Sequence, residues 1–244
     1  MYLLSGCSGS ESAGIEPKTD PVSPQVLTES DQLFDQRQDL GNLRSAIANL
    51  NRARRENLKS YDVEWRLAKF NYFLGRHTDD EKERDKAFED GIKDGKAAVN
   101  LEPEKPEGHF WYGANLGEQS NRNPMKAGLS AIDDIRREMN KVVELKPDYE
   151  MASAYVVLAQ VELVTRILGG HQKKAAELLQ KAIEIEKFNG DARIQYAEAL
   201  IALKRDDEAK KQLEFVLQMK PNPAYLPEYE QQFAQAKKML ETKF

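Results

Sequence analysis

Apolar and polar positions along this chain follow a helical beat, and one stripe recurs four times. The segments GIKDGKAAVNLEP, IRREMNKVVELKP, AAELLQKAIEIEK and AKKQLEFVLQMKP share it. Each carries a small or apolar residue, a second four positions on, a third three after that, and an apolar residue two positions before a closing Pro or Lys. Aligned on that end, Gly91, Ile135, Ala175 and Ala209 coincide, then Gly95, Met139, Leu179 and Leu213, then Ala98, Val142, Ala182 and Val216. The spacing i, i+4, i+7 puts these residues on one face of a helix, so each segment predicts a helix buried along one side. The closing positions are Pro103, Pro147, Lys187 and Pro221.

Ahead of each stripe lies a second helical pattern of small and aromatic residues: Trp65, Ala68 and Tyr72; His109, Tyr112, Gly113 and Leu116; Ala152, Tyr155 and Ala159; Ala192, Tyr196 and Ala199. The closing residues are 44, 40 and 34 positions apart, and the last interval equals the tetratricopeptide period. An earlier pair, about Thr28 to Gln38 and Gly41 to Asn57, repeats the stripe with Ala46, Leu50 and Ala53. Pro223 to Leu240, with Tyr225, Tyr229, Phe233, Ala236 and Leu240 at helical spacing, predicts a terminal helix over the last repeat. A helix pair cannot bury its apolar face alone. The expected fold is therefore all-α: a right-handed tetratricopeptide-like solenoid of about five helix pairs plus a C-terminal capping helix, more than 70% helical and without a sheet. The longer spacings are assigned to the turns, around GRHTDDEKERD and EQSNRNPMK, where added residues cost little. Thr78 and Glu81 have the spacing of a capping box.

Within this frame the run HFWYGANLG, residues 109 to 117, is the first helix of the third pair. His109, Tyr112 and Gly113 fall on repeat-packing positions, with Trp65, Tyr72, Tyr155, Ala182 and Tyr196 in the same role. Phe110, Ala114 and Gly117 fall on the other face, which in such a solenoid is concave, and Trp111 lies beside them. By the same placement Val157, Gln160 and Val161, then Arg193, Ala197 and Ile201, extend that face into a mostly apolar groove. Rings on a concave face suit a peptide or an apolar ligand. They also suit a crowded joint between helices.

Composition narrows the chemistry. The chain has 244 residues, 32% of them charged, and a net charge of −5 with basic and acidic residues interleaved. No contiguous basic field offers itself to phosphates, so nucleic acid is not an expected partner. The most basic stretch, NRARRENLK at 51 to 59, reads as one solvated helix face. His77, His109 and His171 are scattered, the paired carboxylates Asp133–Asp134 and Asp206–Asp207 are sequence neighbours that diverge on a helix, and no nucleophile or nucleotide motif is present. No catalytic residue, metal or cofactor is expected.

The single cysteine, Cys7, ends the sequence Leu4-Ser5-Gly6-Cys7, which matches a bacterial lipobox although only four residues precede the motif's small residues. The polar stretch SGSESAGIEPKTDPVSP follows, with three prolines. These features predict a lipoprotein signal remnant over 1–7, a tether over 8–24 and a helical-repeat domain over 25–244. Lipidation is expected at Cys7. Ser8 resembles the sorting pattern for the outer membrane.

The run PEGHFWYGANLG, the helix ending KVVELKPDYEMASAYVVLAQ and the segment ILGGHQKKAAELLQKAIEIE resemble the T component of tetratricopeptide-associated TRAP transporters, the TatT family of bacterial lipoproteins. The turn Leu168 to Gly170 is the most specific piece, and the likeness covers about Gln25 to Leu217. His171 stands where that family commonly has an acidic residue. A more distant eukaryotic group related to microtubule-dynamics regulators shares the aromatic WY segment. The TatT resemblance implies a lipid-anchored periplasmic adaptor on the outer membrane whose partner is a substrate-binding subunit, with a hydrophobic or organic-acid ligand. The alternative is a general scaffold for an envelope complex, holding a peptide in the groove. Either way the membrane is reached through the lipid anchor only, and homo-oligomerisation stays open.

Overall fold

Eleven α-helices follow one another in the computed structural model, which describes residues 22–54, 59–122, 124–165, 171–220 and 222–244, and no strand occurs among them. The helices pair as antiparallel neighbours: α1 (Pro24–Asp35) with α2 (Leu40–Ala53), α3 (Tyr61–His77) with α4 (Glu81–Leu101), α5 (Pro106–Arg122) with α6 (Pro124–Leu145), α7 (Tyr149–Val164) with α8 (Gln172–Ile185), and α9 (Gly190–Ala202) with α10 (Asp206–Gln218). A 3-10 turn at Pro223–Tyr225 leads into α11 (Leu226–Lys243), which lies on α10 and α9. The fold is the expected repeat of five pairs and a cap. The lipobox at Cys7, the segment 1–7, most of the tether and the turn Leu168 to Gly170 lie outside the described residues. Helix α1 starts at Pro24, and Val22 ahead of it packs against the core.

Local chemistry sets the helix ends. Asp39 caps α2 through the Gly41 amide at 2.7 Å, and Asn189 caps α9 through the Ala192 amide at 2.9 Å. At α4 the cap is Asp80, which accepts from the Lys82 and Glu83 amides at 2.8 and 3.1 Å. The Thr78–Glu81 capping box therefore does not form. The Thr78 hydroxyl turns to the Glu83 carboxylate instead, because Asp80 stands closer to the first free amides.

The twelve aligned stripe residues, from Gly91 to Val216, are all buried. Those of α6, α8 and α10 belong to two apolar clusters, one running from α1 to α7 and one from α7 to α10 and α11, and Val143 and Leu178 pack against both. Burying a Leu or Met side chain contributes roughly 1.5–3 kcal/mol, so these rows hold each pair to the next. The residues expected in long turns lengthen the helices instead. Helices α3 to α6 span 17, 21, 17 and 22 residues, against 13 or 14 for α8 to α10.

Arg54 also departs from the solvated face expected of its stretch. Its Nη2 sits 2.6 Å from both Glu64 Oε2 and Asp94 Oδ1, which joins α2 to α3 and α4. Burial pushes both carboxyls up from their ordinary range, with the Arg54 charge opposing it. Two buried carboxylates thus share one guanidinium.

Candidate functional site

Helix α5 is enclosed on nearly every side, and its two faces do different work. On the face towards α4 and α6, a side chain on Gly95 would stand 2.7 Å from the Tyr112 Cα, so the two backbones approach closely there. Gly113 lies against the end of the Met139 side chain. His109 Nδ1 is 2.5 Å from Glu138 Oε2, and Nε2 donates to the Pro103 carbonyl at 2.8 Å. Both ring nitrogens are therefore donors, the imidazolium form. Burial opposes that charge, but Glu138 and the Pro103 carbonyl outweigh it and hold the His109 pKa above its ordinary value. Burial likewise works against the Glu138 carboxylate, and its bonds from His109 and Arg137 still bring its pKa below the usual range.

The other face of α5 borders a cavity of about 250 Å³ on the inner side of the solenoid. Phe110, Trp111, Ala114 and Gly117 contribute to its wall, with Tyr72 and Phe73 from α3. The rings brace one another: Trp111 lies 4.8 Å from Phe110 edge-on and 5.4 Å from Tyr72, and its indole N–H donates to the Tyr149 hydroxyl at 3.0 Å. Asn115, buried behind them, donates to the Ala68 and Trp111 carbonyls at 3.0 and 2.7 Å. On this wall the rings offer faces, not free polar groups.

Helix α7 supplies Val157 and Gln160, and its first turn is unusual. Glu150, Met151 and Ala152 have φ of 45°, 58° and 60°, a left-handed stretch without glycine. It is held by Asn189, whose amide donates to the Met151 carbonyl at 2.6 Å, and by the Ser153 hydroxyl on the Glu150 carbonyl at 2.6 Å. The turn delivers the Glu150 carboxylate to Lys69 Nζ at 2.9 Å and to the Tyr225 hydroxyl at 3.1 Å. Such strain persists where surrounding contacts over-determine it.

Four positions expected on the concave face, Val161, Arg193, Ala197 and Ile201, are elsewhere. Val161 is buried in the first apolar cluster. Arg193 packs towards α10: its guanidinium stacks 3.6 Å from the Phe215 ring centre, and it donates to the Lys187 carbonyl at 2.8 Å and to Gln212 at 2.5 Å. Burial lowers its pKa to about 10. The physical reason is a one-residue difference in register. Arg193 reaches back six residues to the closing position Lys187 just as His109 reaches back six to Pro103, so Arg193 is the counterpart of His109 and not of Phe110. Ala197 is accordingly buried and Ile201 packs on the second cluster. The residues of α9 that face inward are Asp191, Gln195 and Glu198, spaced i, i+4, i+7; Asp191 lies on the cavity wall and Gln195 bonds to Gln160.

The cavity is closed on its far side by the C-terminal cap. Tyr225, Tyr229, Gln231 and Gln232 reach its wall. Arg37, in the turn after α1, grips Glu228 through two bonds of 3.0 and 2.8 Å and the Ala224 carbonyl at 2.7 Å, while its guanidinium lies 4.8 Å from the Phe34 ring centre. The first and last repeats therefore meet across the inner face. Of the other packing positions, Tyr155, Ala182 and Tyr196 are buried, and Trp65 and Tyr72 are half-buried against the first cluster. Asp133 and Asp134 pair with Arg136 and Arg137 on the surface of α6, and Asp206 and Asp207 sit exposed in the first turn of α10. Among the described residues no three His, Cys, Asp or Glu side chains converge in a metal-binding group, and no helix is long and apolar enough to cross a membrane.

A family model described as Regulator of microtubule dynamics protein 1-3 matches residues 26–157, more than half of the chain. The chain belongs to that family. In this member of the regulator of microtubule dynamics family, the matched stretch spans α1 to the middle of α7 and includes the aromatic wall, while a tetratricopeptide repeat model matches residues 170–226. The cavity of this family member thus draws Tyr72, Phe110 and Trp111 from the first part and Phe188, Asp191 and Tyr225 from the second. No curated protein matches the chain significantly. Among solved structures, a thermophilic TPR protein of Thermus thermophilus is similar over 87% of this chain and 97% of its own, at 20% identity and a TM-score of 0.62. A MamA protein covers 90% of this chain and 97% of its own, at 18% identity and a TM-score of 0.49. A tetratricopeptide repeat protein from Parabacteroides merdae ATCC 43184 covers 88% and 93%, at 17% identity and a TM-score of 0.40. The Thermus likeness bears on the fold.

Proposed function

We propose that this chain is an adaptor that holds a partner protein by taking one of the partner's large side chains into the concave cavity. The observation that carries the reading is the cavity itself, walled by braced rings on one side and amides and carboxylates on the other, and closed by the C-terminal cap. Its volume of about 250 Å³ falls below the roughly 300–1,000 Å³ of sites that enclose a drug-sized ligand. That size favours a side chain over a free hydrophobic metabolite. The lipobox at Cys7 and the polar stretch after it support placing the module on a lipid anchor at the periplasmic side of the outer membrane. The resemblance to the T component of TRAP-type transporters supports a solute-binding subunit as the partner.

Photo-crosslinking in whole cells tests the adaptor reading. A benzophenone amino acid at Gln160, on the cavity wall, should trap a discrete protein that the same group at exposed Glu184 does not. Gly117→Trp should remove that adduct, since a side chain at Gly117 enters open space and would plug the cavity without disturbing α5. An adduct indifferent to the plug would defeat the reading. Incorporation of labelled palmitate that Cys7→Ser abolishes would test the anchor, and no incorporation in the parent chain would remove it.

A further inference from the structure

The charges around the cavity say what kind of side chain enters it. Four carboxylates reach its wall, those of Glu118, Glu150, Asp191 and Glu228. Three are matched by cations of the protein. Arg76 stands 3.5 Å from Glu118, Lys69 is 2.9 Å from Glu150, and Arg37 holds Glu228. Both ring nitrogens of His77 are engaged, Nδ1 with the Phe73 carbonyl at 2.8 Å and Nε2 with the Gln231 amide at 3.4 Å. Asp191 is left over. Its two oxygens accept from the Gln195 amide at 3.0 Å each, and among the described residues no cation forms a close ion pair with it, although the Arg76 charge, already held by Glu118, acts on it from further off. It lies in the first turn of α9, where the positive end of the helix dipole favours a carboxylate. Glu198, two turns on along the same face, adds to the negative field, and its carboxyl is pushed up by partial burial and by the Asp191 charge.

We propose, resting on the adaptor reading, that the cavity is selective for a cationic segment: a Lys or Arg of the partner directed at Asp191, beside a large apolar or aromatic side chain laid against Trp111, Phe110 and Tyr72. Charge complementarity decides among occupants. An acidic segment or a free C-terminal carboxylate would find every cavity cation already engaged and would face Asp191. A neutral segment would shield that carboxylate from water with nothing to replace its hydration. A basic segment gains the carboxylate, and the ring faces opposite attract the same charge.

The test is selection of random linear peptides on the full chain, followed by calorimetric titration of the strongest binder against the parent, Asp191→Asn and Gly117→Trp. Retained helical circular dichroism verifies that both variants are folded. The expected peptides carry Lys or Arg next to an aromatic or long aliphatic residue. Their affinity should fall about tenfold in Asp191→Asn, weaken with added salt, and be lost in Gly117→Trp. Peptides lost in Gly117→Trp but neutral or acidic, or indifferent to Asp191→Asn, would overturn the cationic preference and leave the adaptor reading standing. Peptides indifferent to the plug, or no peptides at all, would overturn both.

Discussion

Two glycines on facing helices show how much depends on what a side chain would meet. A methyl group on Gly95 would stand against the backbone of Tyr112, which cannot yield unless α4 and α5 move apart. One on Gly113 would crowd the end of Met139, a flexible chain, and would touch the Glu138 Cβ at an ordinary 3.5 Å. Either replacement by alanine gains roughly 1 kcal/mol of helix preference, while overpacking a rigid contact costs about 1–3 kcal/mol. Gly95→Ala should therefore lose up to about 2 kcal/mol net in urea unfolding, and Gly113→Ala should stay within about 0.5 kcal/mol of the parent. Equal losses would mean that Gly113 is also held against backbone. Lys204 gives the opposite case. It ends α9 with φ of 59°, the Arg205 amide donating to the Leu200 carbonyl and the Lys204 amide to that of Ile201, the pattern of a Schellman turn. Lys204→Gly should stabilise the protein by about 0.5–1 kcal/mol and raise the melting temperature by roughly 2–3 °C. An unchanged or lower melting temperature would count against the left-handed turn. Both glycines could be read from sequence, Gly95 because it falls in register with Met139 and Leu179 and Gly113 because it shares a helix face with His109 and Tyr112. The Lys204 turn could not, since lysine gives no sign of a positive φ.

Helix α5 is the element on which packing and binding meet, and its two roles follow from a 100° turn per residue. The i, i+3, i+4 spacing of His109, Tyr112 and Gly113 was legible, and so was the opposite placing of Phe110 and Ala114. The electrostatic partner of His109 was not, because Glu138 is 29 residues away and comes alongside only when α5 and α6 pair. The pair makes stability depend on pH in a definite sense. The His109 pKa is raised on folding, so its contribution is full below its unfolded value of about 6.5 and fades as pH climbs through the folded value. The Glu138 pKa is depressed, so its contribution is full above about 4.3 and fades as pH falls through its folded value. His109→Ala should cost about 2 kcal/mol near pH 6, and that cost should shrink steadily towards pH 8.5. Urea midpoints of the two proteins across this range settle it; a constant gap would mean that the ring is neutral and acts by packing alone. The same helix pairing explains the register difference at α9. Local spacing fixes which residues share a face, but the rotation of one repeat relative to another is set by contacts such as Arg193 with Phe215 and with the Lys187 carbonyl. An alignment on closing residues can slip by one position without disturbing either stripe.

At the scale of the molecule the solenoid does not end in solvent. Arg37 and Glu228 are 191 residues apart, and their contact brings the cap across the inner face so that Tyr225 and Tyr229 complete a wall begun by α3 and α5. Five pairs and a cap were legible because each repeat carries its own period. The closure was not, since no periodicity links a turn after the first helix to the last one. Arg37 is buried, and its guanidinium touches Phe34, Phe73, the Ala224 carbonyl and both oxygens of Glu228. Arg37→Met keeps much of the apolar contact and removes the bonds, leaving the half-buried Glu228 without its cation at a cost of about 1–3 kcal/mol. Because stability in repeat proteins is carried largely by neighbouring units, the loss should be local. Hydrogen exchange should speed up about tenfold or more in Pro223–Lys243, with α4 to α6 unchanged, and affinity for any cavity ligand should fall with it. Uniformly faster exchange would mean that the clasp stabilises the whole array. Unchanged exchange in α11 would mean that the cap is held by α9 and α10 alone, with the cavity open on that side in solution.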